Sequence, residues 1–206
     1  MTERPVRVFN GEYRWVEYHE NNSVTMPPNP RSSWVYTIRM ERSIGVYKAA
    51  PAVRYKTIMM TDYPELAGDI VTVTKNGWII VDDRYYDPFS DRFLGGTETS
   101  TIKGTAKPSI DIPAYQNNRE DRPGGFLGIM PFGEMNITLT CSGTEPVTVP
   151  AGTYPDTRKC VGSFKDGTPI TFWIAPGVPV PVRYEFPYTC QDGVDPFNSY
   201  ELKGWG

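Results

Sequence analysis

The sequence predicts an all-β fold: antiparallel strands in one domain, with little or no helix. Three observations carry this. Apolar residues recur at every second position in five separate rows, the period of a strand with one buried face. Turn signals fall between the rows. The 206 residues include 20 Pro and 19 Gly, without long Ala-, Leu-, Glu- and Lys-rich segments. That is the profile of many strands joined by tight turns.

The rows come in chain order. Trp34, Tyr36, Ile38 and Met40 form the first; Val53, Tyr55, Thr57 and Met59 the second. Ile137, Leu139 and Cys141 form the third, followed by Ile170, Phe172 and Ile174, then by Val180, Val182, Tyr184 and Phe186. Asn76-Gly77, between "DIVTVTK" and "WIIVDDRYY", predicts a hairpin in which 68–75 pair with 77–86. Asp166-Gly167 predicts a second reversal. The stretch "VTVPAGTYPDTRKC", residues 147–160, predicts a third. There Pro150 ends one strand, because it lacks a donor, and Gly152 supplies the φ > 0 that a tight loop needs. Residues 145–149 are then expected to pair with residues starting near Tyr154. Pro179 and Pro181 within one row imply an edge strand or a bulge. Residues 104–133 lack a strand pattern and are expected to be a long irregular loop.

Length and charge exclude several classes. A chain this long fits a single β domain over 1–206 that needs no disulfide for stability. A net charge of −3 gives no electrostatic case for nucleic acid. No stretch approaches the ~18–20 apolar residues that span a bilayer as a helix. The N-terminus "MTERPVRVFNGEY" has no signal-peptide apolar region, so an extracytoplasmic location is expected only with a targeting segment already removed.

The C-terminal third carries two motifs. Val147, Val149, Pro150, Ala151, Gly152, Thr153 and Tyr154 form a V-x-V-P-A-G-T-[FY] turn. Phe172, Trp173, Ala175, Pro176, Gly177, Val178, Val182, Arg183, Tyr184 and Glu185 form a W-x-A-P-G-V strand pair. Over residues 134–187 these resemble an uncharacterised family of secreted prokaryotic proteins that look like relatives of the Lol-type lipoprotein carriers. Pro179 departs from that pattern, which usually has Gly. The resemblance implies one large curved antiparallel sheet, an unclosed half-barrel whose concave face can hold an acyl chain.

Little in the sequence points to catalysis. The single His19, in "VEYHENN", has no nucleophile and orienting group recognisable beside it and reads as solvent-facing. Three scattered Cys and one His do not make a zinc site. Asp82, Asp83, Asp87 and Asp91 cluster in "VDDRYYDPFSD". Their spacing is not that of a twelve-residue calcium loop; they read as a solvated turn, with a non-standard cation site as the alternative. No phosphate-binding glycine loop is present, so no cofactor is expected. If the 150–153 turn centres near 151–152, antiparallel partners have numbers summing to roughly 302–303. Cys141 and Cys160 sum to 301 and are expected to face each other within one bulge of register and form a disulfide in an oxidising compartment.

The leading functional expectation is a non-catalytic extracytoplasmic protein that binds a lipid or another apolar ligand on the concave face. Trp34, Tyr36, Ile38, Val53, Tyr55 and Met59 are the expected lining. Phe126, Leu127 and Met130, in "FLGIMPF" after Gly124-Gly125, are the expected cover. The alternatives are a surface or scaffold module that binds another protein, and a carbohydrate-active enzyme with two carboxylates facing each other in a cleft.

Overall fold

The computed structural model describes residues 5–7, 13–26, 29–67, 70–90, 92–114, 136–163, 167, 169–187 and 197–206. Among them there is no α-helix. The strands are β1 (Pro5–Arg7), β2 (Trp15–Met26), β3 (Asn29–Tyr47), β4 (Ala50–Ala67), β5 (Ile70–Tyr86), β6 (Phe93–Ile102), β7 (Thr105–Ala106), β8 (Ile110–Pro113), β9 (Asn136–Thr138), β10 (Thr140–Val149), β11 (Gly152–Ser163), β12 (Pro169–Ile174), β13 (Arg183–Pro187) and β14 (Phe197–Trp205).

Twelve strands form one sheet in the order β10-β11-β12-β13-β14-β2-β3-β4-β5-β6-β7, with β8 also paired to β6. Every pairing in it is antiparallel. Neighbours in space are neighbours in sequence except where β8 returns to β6 and at one seam, where β14 pairs with β2. That seam joins the chain's last strand to its first long one. The β10 edge and the β7–β8 edge do not pair among the described residues, so the curved sheet stays unclosed. β1 and β9 make a separate two-stranded pair.

The reversal at Pro150-Ala151 joins β10 to β11, with Val149 opposite Gly152. Gly152 takes φ +141° there, a region that side chains disfavour. The turn also docks on the last strand, since the Ala151 amide donates to the Leu202 carbonyl at 2.9 Å. Cys141 lies directly opposite Cys160, and the two sulfurs are bonded, with Cα atoms 4.0 Å apart. The register slips between Cys141 and Thr144 and again between Glu145 and Val147.

Asn76-Gly77 is not a hairpin turn. β5 runs unbroken from Ile70 to Tyr86, and its partner is β4 along its length. Thr61 opposes Trp78 and Tyr63 opposes Thr74, so Asp62 faces the three residues 75–77. The dipeptide is a bulge. Asn76 adopts φ +48°, and its amide donates to Asp62 Oδ1 at 2.8 Å. A left-handed residue followed by Gly suits a bulge as well as a turn. The choice is made by the partner strand, since β4 has its own apolar row to pair.

Two further segments differ from the sequence reading. Within 104–133, Thr105–Ala106 and Ile110–Pro113 are edge strands on β6; they are too short to show a period. Residues 115–135 lie outside the described residues. Pro179 and Pro181 belong to an irregular stretch that precedes β13. β13 begins at Arg183, beyond both prolines, and can therefore pair on both sides, with β12 and β14.

Directly opposed residues of an antiparallel pair share a face, so the register sorts the side chains. One face, the inner one, carries the core: Tyr18, Ile38, Met59, Ile80, Phe172, Tyr184, Tyr200 and Leu202 are all buried. The other is charged. On it Arg39 meets Glu17 at 3.7 Å and Glu41 at 3.0 Å, Lys203 meets Glu17 at 2.7 Å, and Arg183 meets Glu185. Arg54 grips Asp83 with two hydrogen bonds of 2.6 and 2.8 Å.

Candidate functional site: the inner face of the sheet

Four cross-strand rows build the inner face. The first runs Phe172, Tyr184, Tyr200, Glu20, Tyr36, Thr61 and Trp78. Within it Tyr184 and Tyr200 stack at 4.3 Å, and Tyr18 of the next row meets Tyr184 edge-on at 5.2 Å. The second row, Leu202, Tyr18, Ile38, Met59 and Ile80, is apolar across five strands. The third runs Val16, Met40, Thr57, Asp82 and Glu98, and the fourth Arg42, Tyr55, Arg84 and Gly96. The face thus grades from aromatic to aliphatic to a polar centre on β4, β5 and β6. Beyond that centre Val53, Tyr86 and Phe93 restore an apolar margin.

The polar groups are shaped by burial. Glu20 is 3% exposed and accepts a 2.8 Å hydrogen bond from the Tyr200 hydroxyl. Burial pushes its carboxyl up to about 7, with the Tyr200 bond opposing the rise. Asp82, also buried, binds Arg84 Nε with both oxygens, at 2.9 and 3.1 Å. Its carboxyl is raised by burial, against the pull of the Arg84 charge. Glu98 is raised by burial and by the neighbouring Asp82 charge. The phenols of Tyr18 and Tyr184 are held well above their usual range by complete burial; the Tyr18 hydroxyl donates to the Pro181 carbonyl at 2.7 Å.

The expected lining residues distribute as follows. Ile38, Val53, Tyr55 and Met59 all lie on the inner face and are buried. Trp34 and Tyr36 occupy inner-face positions of β3, in register with Ile38; their side chains lie outside the described residues. Phe126, Leu127 and Met130 also lie outside them. The three described aspartates do not converge. Asp82 and Asp83 project to opposite faces, and Asp87 caps its turn by accepting from the amides of Phe89 and Ser90 at 2.9 and 2.8 Å. Asp91 is outside the described residues. Among the described residues no cluster of three or more His, Cys, Asp or Glu could hold a metal ion. His19 sits in β2 opposite Glu201 and Thr37, on the charged face.

Sequence reasoning missed the β14–β2 seam, and with it Tyr18, Glu20, Tyr200 and Leu202. The signal was present in "WVEYHE", where Val16, Tyr18 and Glu20 alternate. It also missed that Asp82 and Glu98 are direct cross-strand partners. Arg84 occupies both oxygens of Asp82, so Asp82 is ion-paired and does not form a pair of free carboxylates with Glu98.

No family model and no curated protein matches this chain. Among solved structures, one match is a domain from Vibrio parahaemolyticus described as an outer membrane lipoprotein-sorting protein domain. It is 7% identical, covers 96% of this chain and 86% of its own, and superposes with a TM-score of 0.33. A likeness of that strength says nothing about ligand or role.

Proposed function

We propose that the inner face binds an apolar ligand, a lipid or an acyl chain, and that the protein holds this ligand without transforming it. The observation that supports the reading is the row Leu202, Tyr18, Ile38, Met59 and Ile80, apolar across five strands of an unclosed sheet. Ile38 and Met59 are each 2% exposed, so a ligand reaches them only when their present cover moves aside. Burying apolar area would drive binding at about 25 cal/mol per Å², less the cost of ordering. The centre around Thr57, Asp82, Arg84 and Glu98 offers hydrogen-bonding groups for the polar end of an amphiphile. The Cys141–Cys160 disulfide fits an oxidising, extracytoplasmic compartment.

The test has two arms. Natively purified protein is extracted with organic solvent and the extract analysed by mass spectrometry, and the delipidated protein is titrated with a fluorescent fatty acid. A recovered lipid or saturable probe binding, weakened by Met59→Gln, supports the reading. No lipid and no saturable binding ends it. That outcome shifts weight to a protein-binding module, for which Ile44 and Val46, 78% and 69% exposed near the β3–β4 tip, are the supporting observation.

A further inference from the structure

The charged face holds a cleft of about 240 Å³ next to the start of β2. Arg14, Arg39, Arg54 and Lys56 line it, against the single carboxylate of Glu41; Arg42 also borders it, but its strand position turns its side chain to the inner face. Four cations around one cavity stand out in a chain whose net charge is −3. Clefts lined by one sign of charge concentrate ligands of the other.

Pairing removes only part of the excess. Arg39 is held by Glu17 and Glu41, and Arg54 by Asp83. Lys56 lies directly between Glu41 and Asp83 across the strands, but each of those carboxylates already binds an arginine. Arg14 and Lys56 have no ion pair among the described residues. A site that keeps unused donors and net positive charge, after its own acids are spent, matches a small multivalent oxyanion.

We infer that this cleft binds a phosphate group. Its source is either a soluble phosphate compound or the headgroup of an anionic phospholipid; both present the same tetrahedral oxyanion. This site lies on the opposite face from the apolar rows and does not depend on them.

The experiment uses the full chain at low ionic strength. Inorganic phosphate is titrated by calorimetry, and vesicles of phosphatidylglycerol or phosphatidylcholine are co-sedimented with the protein. Arg14→Gln and Lys56→Gln are each expected to weaken binding about tenfold, the loss of one charge-assisted hydrogen bond. Lys203→Gln, which removes a cation of the same face that is paired with Glu17, is the control and is expected to change binding less than twofold. Circular dichroism establishes that each variant is folded. Saturable binding of inorganic phosphate identifies a soluble source; binding to phosphatidylglycerol vesicles alone identifies a headgroup. No binding in either arm overturns the inference, as does equal binding to phosphatidylcholine or an equal loss in Lys203→Gln.

Discussion

The Tyr200 hydroxyl donates to Glu20 at 2.8 Å across 180 positions of sequence, and this bond sits in the seam where the last strand meets the first long one. Glu20 is buried there with a carboxyl raised to about 7. A raised carboxyl pKa means that the folded chain holds its proton more tightly than the unfolded chain. The folded state is therefore favoured below the unfolded value near 4.5 and loses that advantage as pH rises through about 7. The full difference is on the order of 3 kcal/mol.

Glu20→Gln keeps a group that can accept from Tyr200 and removes the titration. Its stability is expected to exceed that of the parent at pH 8 and to match it near pH 5. Urea melts at the two pH values measure this. A parent protein whose stability does not fall between pH 5 and 8, relative to the variant, contradicts the assignment.

Gly77 has no room for a side chain. An added Cβ would stand 2.7 Å from Tyr63 Cβ and 2.8 Å from the Thr74 carbonyl oxygen. Gly77→Ala is expected to cost about 1–3 kcal/mol through overpacking of the bulge. Gly104→Ala, at a turn with open space around it but φ +77°, meets only the strain of a side chain at positive φ and is expected to cost about 1 kcal/mol. Denaturant midpoints of the two variants separate crowding from strain.

Tyr184 stacks on Tyr200, touches Tyr18 edge-on and is 1% exposed. Tyr184→Ala is expected to lose about 3–5 kcal/mol, the range for truncating a buried aromatic ring. Ile44→Ala, at a side chain 78% exposed, is expected to stay within about 0.5 kcal/mol of the parent. Equal losses would mean that the burial pattern is wrong.

The disulfide closes a loop with a sequence separation of 19. Replacing both Cys141 and Cys160 by Ala is expected to cost about 3 kcal/mol, mostly by freeing the unfolded chain. Peptide mapping without reductant should recover the Cys141–Cys160 pair from protein made under oxidising conditions. An unchanged melting temperature in the double variant would contradict the estimate.

Strand identity and the in–out alternation were legible in the sequence, because both follow from a two-residue period that neighbouring residues express by themselves. So was the reversal at Pro150-Ala151, where Pro and Gly each restrict the backbone locally. The same local signal failed at Asn76-Gly77. A left-handed residue followed by Gly serves a turn or a bulge equally, and only the register of β4 against β5 decides between them. Tertiary structure alone brought Tyr200 to Glu20, set Asp82 opposite Glu98, and gathered Arg14, Arg54 and Lys56 around one cleft. These are meetings between strands remote in sequence. Their geometry depends on strand order and on the residue at which each bulge shifts the register, and no period within a single strand carries either.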